Sequence, residues 1–288
     1  MSYRGRFAPS PTGLLHAGSL VAAVGSWLCA RHEGGQWLVR MEDIDPPREA
    51  PGSAAAILAA LPAFGLAADE PAIYQSSRIG AYEAAFEQLR QAGLAFPCWC
   101  SRSDLAAAGG IHRDGRCIAG PDPHREPAWR ARVADETIHF VDELQGPQQQ
   151  HLRESVGDFV IRRVEGFYSY QLACVVDDAW QGITQVVRGN DLLDSTPRQI
   201  WLQRCLGLST PRYLHLPLVL DSEGRKLSKS ERSREVDPFD PMPALRRALA
   251  FLGVTAEETA LHPSDLLGAA LEHFDPRRLT QCSDHRAA

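Results

Sequence analysis

Two short stretches, far apart in the chain, carry side chains suited to holding a nucleotide. In His16-Ala17-Gly18-Ser19 a histidine opens a helical pattern. The unpaired backbone N–H groups and positive dipole end of a helix start attract phosphate oxygens, and Gly18 lets a ligand approach the backbone closely. Downstream, Gly224 introduces Arg225-Lys226-Leu227-Ser228-Lys229-Ser230, which puts two lysines and two hydroxyls on one loop. Ammonium charge there can follow negative charge onto departing pyrophosphate, a transition-state contact worth about 3 to 4 kcal/mol. Taken singly, the first stretch reads as an ordinary helix start and the second as a basic surface turn. No Gly-x-Gly-x-x-Gly follows the first strand and no Gly-Lys-Ser/Thr occurs, so a phosphate site here is built without the common glycine loops.

A third group has the chemistry of a metal site. Cys98-Trp99-Cys100, His112 and Cys117 place three thiols and an imidazole in a stretch otherwise rich in Gly, Pro, Gln and His. A tetrahedral zinc ion on these ligands would supply the core that the stretch lacks, with His124 as the alternative fourth ligand. Seven cysteines in all, an odd number and otherwise scattered, argue against a disulfide framework.

These groups need elements to position them. Arg6-Phe7-Ala8 is a short strand ending at Pro9-Ser10-Pro11-Thr12-Gly13, after which Leu20, Val21, Val24, Trp27 and Leu28 recur at helical spacing until Gly34-Gly35. Gln36 to Met41 reads as a buried strand, stopped by Glu42-Asp43-Ile44-Asp45 and Pro46-Pro47. The acids therefore sit at a strand's carboxyl end, where open α/β sheets bind ligands. Helical patterns cover 53–66 and 79–93, whereas 98–150 shows poor periodicity and reads as an unstructured insertion. Strands at 158–163, 184–188 and 214–220 alternate with helices at 168–176 and 192–206, which predicts a parallel sheet with crossover helices. Further helical patterns occupy 242–252 and 264–272. The expected division is 1–95 and 151–235 as two halves of one α/β domain, 96–150 as the insertion, and 236–288 as a short helical C-terminal region.

Composition narrows the setting. The chain has 288 residues, 44% of them apolar, enough for a proper core. Lys and Arg total 30 against 36 Asp and Glu, a formal charge of −6, so no global cationic field attracts nucleic acid. RNA contact would rest on local groups such as Arg225, Lys226, Lys229, Arg232 and Arg234, or Arg246-Arg247 and Arg277-Arg278. No run approaches the roughly 20 apolar residues of a membrane span, and the N-terminus lacks a signal-peptide core. A cytoplasmic protein with no membrane partner is expected.

Together, RFAPSPTGLLHAGS at Arg6 to Ser19, EDIDPPR at Glu42 to Arg48 and KLSKS at Lys226 to Ser230 resemble the class I glutamyl- and glutaminyl-tRNA synthetase family, over about residues 4 to 235. The first looks like that family's HIGH region and the last like its KMSKS loop, with Leu227 in place of methionine, a volume-conserving change. The resemblance implies an α/β fold: a Rossmann-type class I synthetase catalytic core with a parallel sheet, a zinc-containing insertion and a short helical C-terminal region. It implies ATP and L-glutamate as substrates, with Mg²⁺ accompanying ATP and one structural Zn²⁺. It places glutamate against Arg6, Phe7, Ala8, Pro9, Ser10, Glu42, Tyr170 and Arg188. It places ATP against His16, Gly18, Ser19, Lys226, Ser228 and Lys229, with His16, Lys226 and Lys229 catalytic. Two guanidiniums and one carboxylate match glutamate's two carboxylates and ammonium, each arginine fork clamping one carboxylate. Either arginine can take either carboxylate. The family's zinc ligands can include a tyrosine; none lies between Cys100 and Cys117, and His112 is the substitute.

Residues 231–288 fall short of the about 100 to 150 of a typical domain, which leaves little room for the anticodon-binding domain of full glutamyl-tRNA synthetases. Resemblance to the shorter form in this family implies transfer of glutamate to the queuosine base at the wobble position of tRNA(Asp), with a cyclopentenediol hydroxyl as nucleophile. A monomer is expected. A trimmed glutamyl-tRNA synthetase, or a relative charging another acceptor, would make the same adenylate. A non-catalytic zinc-stabilised RNA-binding module would have no use for His16, Lys226 and Lys229.

Overall fold

The computed structural model describes residues 2–107, 109–218, 235–255 and 259–280. Strand β1 (Arg4–Phe7) is followed by helix α1 (Ala17–His32) and strand β2 (Gln36–Met41), which pairs parallel with β1. Side chains alternate along β2: Trp37, Val39 and Met41 join one apolar cluster and Leu38 a second, as the two-residue pleat requires. The sheet thus separates two cores. Arg40 points to Leu38's side and is 0% exposed.

Helix α2 (Ser53–Ala60), strand β3 (Ile73–Tyr74) and helix α3 (Ile79–Gln91) come next, and β3 extends the first sheet beside β2. Strand β4 (Ala95–Cys98), the short helix α4 (Arg102–Ala107) and strand β5 (Ala128–Ala131) lead to the hairpin β6 (Thr137–Asp142) and β7 (Gly146–His151). After the short helix α5 (Leu152–Ser155), strand β8 (Val160–Arg162) completes an antiparallel sheet of order β4-β5-β8. Then follow α6 (Tyr170–Trp180), β9 (Gln185–Gly189), α7 (Thr196–Leu206) and β10 (Arg212–Leu216). Helices α8 (Pro241–Phe251) and α9 (Pro263–Glu272) pack with α1 in the first core.

The second sheet has the order β7-β6-β10-β9, with β10 parallel to both β9 and β6. It abuts the first sheet where the Thr184 N–H donates to the Arg4 carbonyl at 2.9 Å. Crossover α1 carries the chain from β1 to β2 in one direction, and α7 carries it from β9 to β10 in the other. Their buried residues lie in opposite cores. This is the doubly wound α/β arrangement, with its switch point between β1 and β9.

Two expectations change. The stretch 98–150 is not unstructured: it carries β5, β6 and β7, and β6 lies directly beside β10. Its hairpin strands are half polar, with Gln148, Gln149 and Gln150 in β7, so apolar counting passes over them. Strand β8 belongs to the antiparallel sheet instead of the parallel one. Among the described residues no helix is long and apolar enough to cross a membrane.

Gly35 sets how closely β1 and β2 begin. A Cβ there would lie 2.4 Å from the Tyr3 carbonyl oxygen, which accepts the Gln36 N–H at 3.0 Å. Gly35→Ala should destabilise the protein by about 1 to 3 kcal/mol through overpacking, read as a lower urea midpoint in equilibrium unfolding.

Candidate active site

A cleft of about 750 Å³ opens at the carboxyl ends of β1 and β9. The pleat supplies its charges. Phe7, Val187, Leu214 and Leu216 turn to the α1 core, so their neighbours Arg6, Arg188 and His215 turn to the face that α6 covers. Arg40 on β2 and Asp142 on β6 share that face. All five are buried, in a row across β2, β1, β9, β10 and β6.

Helix α6 neutralises one end of the row. Asp178 Oδ1 accepts from Arg6 Nε at 3.0 Å and from Arg40 Nη1 at 2.7 Å, and Arg40 Nη2 lies 3.4 Å from Glu42 Oε1. Burial by itself would push the Asp178 carboxyl up, but Arg40 and Arg6 hold it well below the usual carboxylate range. Glu42, 8% exposed at the end of β2, is different. Burial pushes its carboxyl up by more than Arg40 and Arg6 draw it down. It is a cleft-lining carboxylate short of cationic partners, suited to an ammonium group.

At the other end, Arg188 donates from Nε to His215 Nε2 at 3.0 Å, from Nη2 to Thr196 Oγ1 at 2.8 Å and the Leu192 carbonyl at 3.3 Å, and from Nη1 to the Tyr170 hydroxyl at 3.1 Å. A guanidinium has five N–H donors, so Arg188 keeps one for a ligand, beside the hydroxyl proton of Tyr170. Arg6 uses Nε on Asp178, one Nη1 proton on the Val187 carbonyl at 3.5 Å, and one Nη2 proton toward Cys174 Sγ at 3.9 Å. A proton therefore remains on each of its terminal nitrogens. The expectation that both arginines act as forks is corrected: only Arg6 keeps a two-pronged end, and Arg188 works jointly with Tyr170.

The sequence-predicted residues Phe7, Ala8, Pro9 and Ser10 line the same cleft beside Arg6, Glu42, Tyr170 and Arg188. Glu42 N–H donates to the Pro9 carbonyl at 2.9 Å, which ties the proline loop to the end of β2. His16, Gly18 and Ser19 line it as well. His16 is the N-cap of α1, its side chain accepting from Ser19 N–H at 3.3 Å. A Cβ on Gly18 would lie 3.3 Å from the His16 ring, so glycine lets that ring fold over the first turn. Lys226, Ser228 and Lys229 lie outside the described residues, as do Arg225, Arg232 and Arg234. Leu218 before them lines the cleft, and after them the backbone of Glu235 forms an isolated antiparallel β-bridge with that of His16 while Val236 N–H donates to the Leu15 carbonyl at 3.0 Å. Sequence reasoning missed Arg40, Asp178, Thr196, His215 and Asp142. An arginine inside an apolar strand and two aspartates following an apolar helical run were the available signals.

Away from the cleft, the ligand atoms of Cys98, Cys100 and Cys117 lie within 4.8 Å of one another, a group that could hold a metal ion. The Cys100 and Cys117 sulfurs are 3.7 Å apart, close to the about 3.8 Å edge of a tetrahedron with 2.3 Å metal–sulfur bonds. Burial raises the Cys117 thiol, but the Trp99 N–H at 3.2 Å and the neighbouring thiols outweigh it and the net shift is downward, toward thiolate. Burial leaves Cys98 pushed up to about 11. His112 is not part of the group. Its Nδ1 is 2.8 Å from Asp158 Oδ2, and Asp158 also accepts from Gly115 N–H at 2.8 Å and Val133 N–H at 3.0 Å. The imidazole is a buried brace at the base of the loop, and exposed His124 is also outside the group.

A model of the family described as tRNA synthetases class I (E and Q), catalytic domain, matches residues 2–261. A glutamyl-Q tRNA(Asp) synthetase of Xanthomonas campestris pv. campestris (strain 8004) is 54% identical over 291 residues, covering 100% of this chain and 97% of that protein. Another, from Pseudomonas aeruginosa (strain LESB58), is 51% identical over 284 residues, covering 98% of this chain and 97% of that protein. Among solved structures, a glutamate-tRNA synthetase from Elizabethkingia anophelis superposes with TM-score 0.78 at 24% identity, covering 97% of this chain and 67% of that one. This last likeness is one of fold.

The thiol geometry generates a test independent of the cleft. Purified protein should carry a divalent metal ion, and Cys117→Ser should lose most of it by elemental analysis, because a tetrahedral thiolate site tolerates few missing ligands.

Proposed function

We propose that this chain, which belongs to the class I tRNA synthetases of the glutamate and glutamine type and within them to the glutamyl-Q tRNA(Asp) synthetases, activates L-glutamate with ATP and passes it to queuosine in tRNA(Asp). The observation that carries this reading is a single cleft joining a dicarboxylate-ammonium pocket, Arg6, Glu42, Tyr170 and Arg188, to a helix N-terminus capped by His16. Glutamate's ammonium goes to Glu42, one carboxylate to the Arg6 fork, and the other to the Arg188–Tyr170 pair. The nucleotide's phosphates lie toward His16, Gly18 and Ser19, where backbone N–H groups and the helix dipole favour them.

Chemistry needs no covalent enzyme intermediate. The glutamate α-carboxylate attacks the α-phosphorus of ATP in line, the bond to the bridging oxygen breaks, and pyrophosphate leaves with its electron pair. A queuosine cyclopentenediol hydroxyl then attacks the adenylate's carbonyl carbon, loses its proton and expels AMP. The protein's work is positioning and charge stabilisation, with Lys226 and Lys229 assigned to the leaving charge and Ser228 to ATP. Mg²⁺ comes with ATP and screens its phosphates. Zn²⁺ is the ion assigned to Cys98, Cys100 and Cys117, where it is structural.

Two measurements test this reading. The protein should exchange labelled pyrophosphate into ATP with glutamate alone, and should label queuosine-containing tRNA(Asp) but not its queuosine-lacking form; equal labelling of both would overturn the acceptor. Glu42→Gln should raise KM for glutamate about tenfold to a hundredfold through loss of a charge-assisted contact. Because the ionised form of Glu42 binds the ammonium and burial raises its pKa, glutamate affinity should decline on acidification at a higher pH than an exposed glutamate would dictate. The steady-state KM measured against pH should show that limb in the native protein and lack it in Glu42→Gln.

A further inference from the structure

Behind Arg188 stands a buried chain that touches no part of the cleft's substrate-facing surface. Arg188 Nε donates to His215 Nε2 at 3.0 Å, and the Thr196 hydroxyl lies 3.3 Å from the same nitrogen. His215 Nδ1 is 2.6 Å from Asp142 Oδ2. The other carboxylate oxygen, Oδ1, accepts three backbone N–H groups: Leu144 at 3.1 Å, Gln145 at 2.9 Å and His215 at 3.2 Å. His215 is 0% exposed and Asp142 1%.

Hydrogen-bond polarity decides the protonation state. A guanidinium Nε–H is always a donor, so His215 Nε2 must be a lone pair, and the ring proton sits on Nδ1, donated to Asp142. Burial and the charges of Arg188 and Arg6 hold the imidazole below its usual range against the upward pull of Asp142, which keeps it neutral. Asp142 is in turn locked in orientation, because three backbone donors claim Oδ1.

We propose that Asp142 and His215 are positioning residues for glutamate: Asp142 selects the Nδ1–H tautomer of His215, and the resulting Nε2 lone pair orients Arg188 so that its one remaining N–H and the Tyr170 hydroxyl face a substrate carboxylate. The proposal rests on the glutamate-activating reading for its kinetic consequence but not for its tautomer. It also yields a prediction that packing alone does not. In Asp142→Asn the three backbone donors still require an oxygen at Oδ1, so the amide NH₂ must occupy the Oδ2 place and donate to Nδ1. That forces the Nε2–H tautomer, whose proton then opposes the Arg188 N–H. An isosteric change two residues removed from substrate should therefore misplace the guanidinium.

The test combines kinetics with ¹⁵N imidazole NMR, the His215 signal being assigned by its absence in His215→Gln. Native protein should show the Nδ1–H pattern and Asp142→Asn the Nε2–H pattern, without any substrate present. In pyrophosphate exchange, Asp142→Asn should raise KM for glutamate about tenfold or more, the usual weight of a hydrogen bond to a charged group, while kcat and KM for ATP shift far less. His215→Leu should raise the same KM, and His215→Gln, whose Oε1 can accept from Arg188, should restore most of it. Adding Asp142→Asn to His215→Gln should then have little further effect, since no ring tautomer remains to be switched. An Nε2–H signal in the native protein, a glutamate KM within about twofold of native in Asp142→Asn despite the switched tautomer, or equal effects of Asp142→Asn in both backgrounds would overturn the proposal. Failure of native exchange with the tautomer pattern intact would instead count against the glutamate-activating reading.

Discussion

Two buried arginines on adjacent strands, Arg6 and Arg40, share one carboxylate oxygen of Asp178, and the cleft depends on that contact. Arg40 is 0% exposed and Arg6 2%. Removing one partner from such a cluster strands an uncompensated charge, at a cost of about 3 to 5 kcal/mol. The contact also sets register. Asp178 lies two turns after Tyr170 on α6, so holding Asp178 against β1 and β2 brings Tyr170 over β9, where it meets Arg188. Burial that would be expensive for folding alone is used to fix the reach and direction of the guanidiniums before a ligand arrives, which is the form of preorganisation that binding and catalysis reward.

The two charged ends of the row do different jobs because their partners differ. Arg6 spends its Nε on Asp178 and keeps a proton on each terminal nitrogen. Arg188 spends nearly all its donors on neutral acceptors, His215, Thr196, the Tyr170 hydroxyl and a carbonyl, which fix its orientation without neutralising its charge. Glu42 completes the set as a buried carboxylate only weakly held by Arg40. The same cleft is also lined by a different physical device, the N-terminus of α1 with His16 as cap and Gly18 against its ring.

The thiol loop follows the same logic with other means. It has little apolar burial of its own, and α4 has no buried residue. Its order comes from Asp158, which gathers His112, Gly115 and Val133, and from the three thiols brought together above it. Gly157, at φ +67°, passes so close to the His112 carbonyl that a Cβ would lie 2.1 Å from the oxygen. A histidine that looks like a metal ligand in the sequence is thereby committed to the loop's base.

Local pattern and residue chemistry determined a good deal of this protein from the sequence by itself. The apolar periodicity of α1 and β2, the glycine and proline stops between them, the acids at the end of β2 and the proximity of Cys98, Cys100 and Cys117 all follow from short-range rules, and the motif residues Arg6, His16, Glu42, Tyr170 and Arg188 do line one cleft. The hairpin β6–β7 was hidden because half-polar strands have no strong apolar period. Only the tertiary structure decided which buried charges face one another, because that depends on pleat direction across five strands and on the helix laid over them. Arg40 meeting Asp178, Arg188 meeting His215 and His112 meeting Asp158 are contacts between residues 27 to 138 positions apart, and a one-residue shift of strand register would turn the strand residues Arg40, Arg188 and His215 to the opposite core.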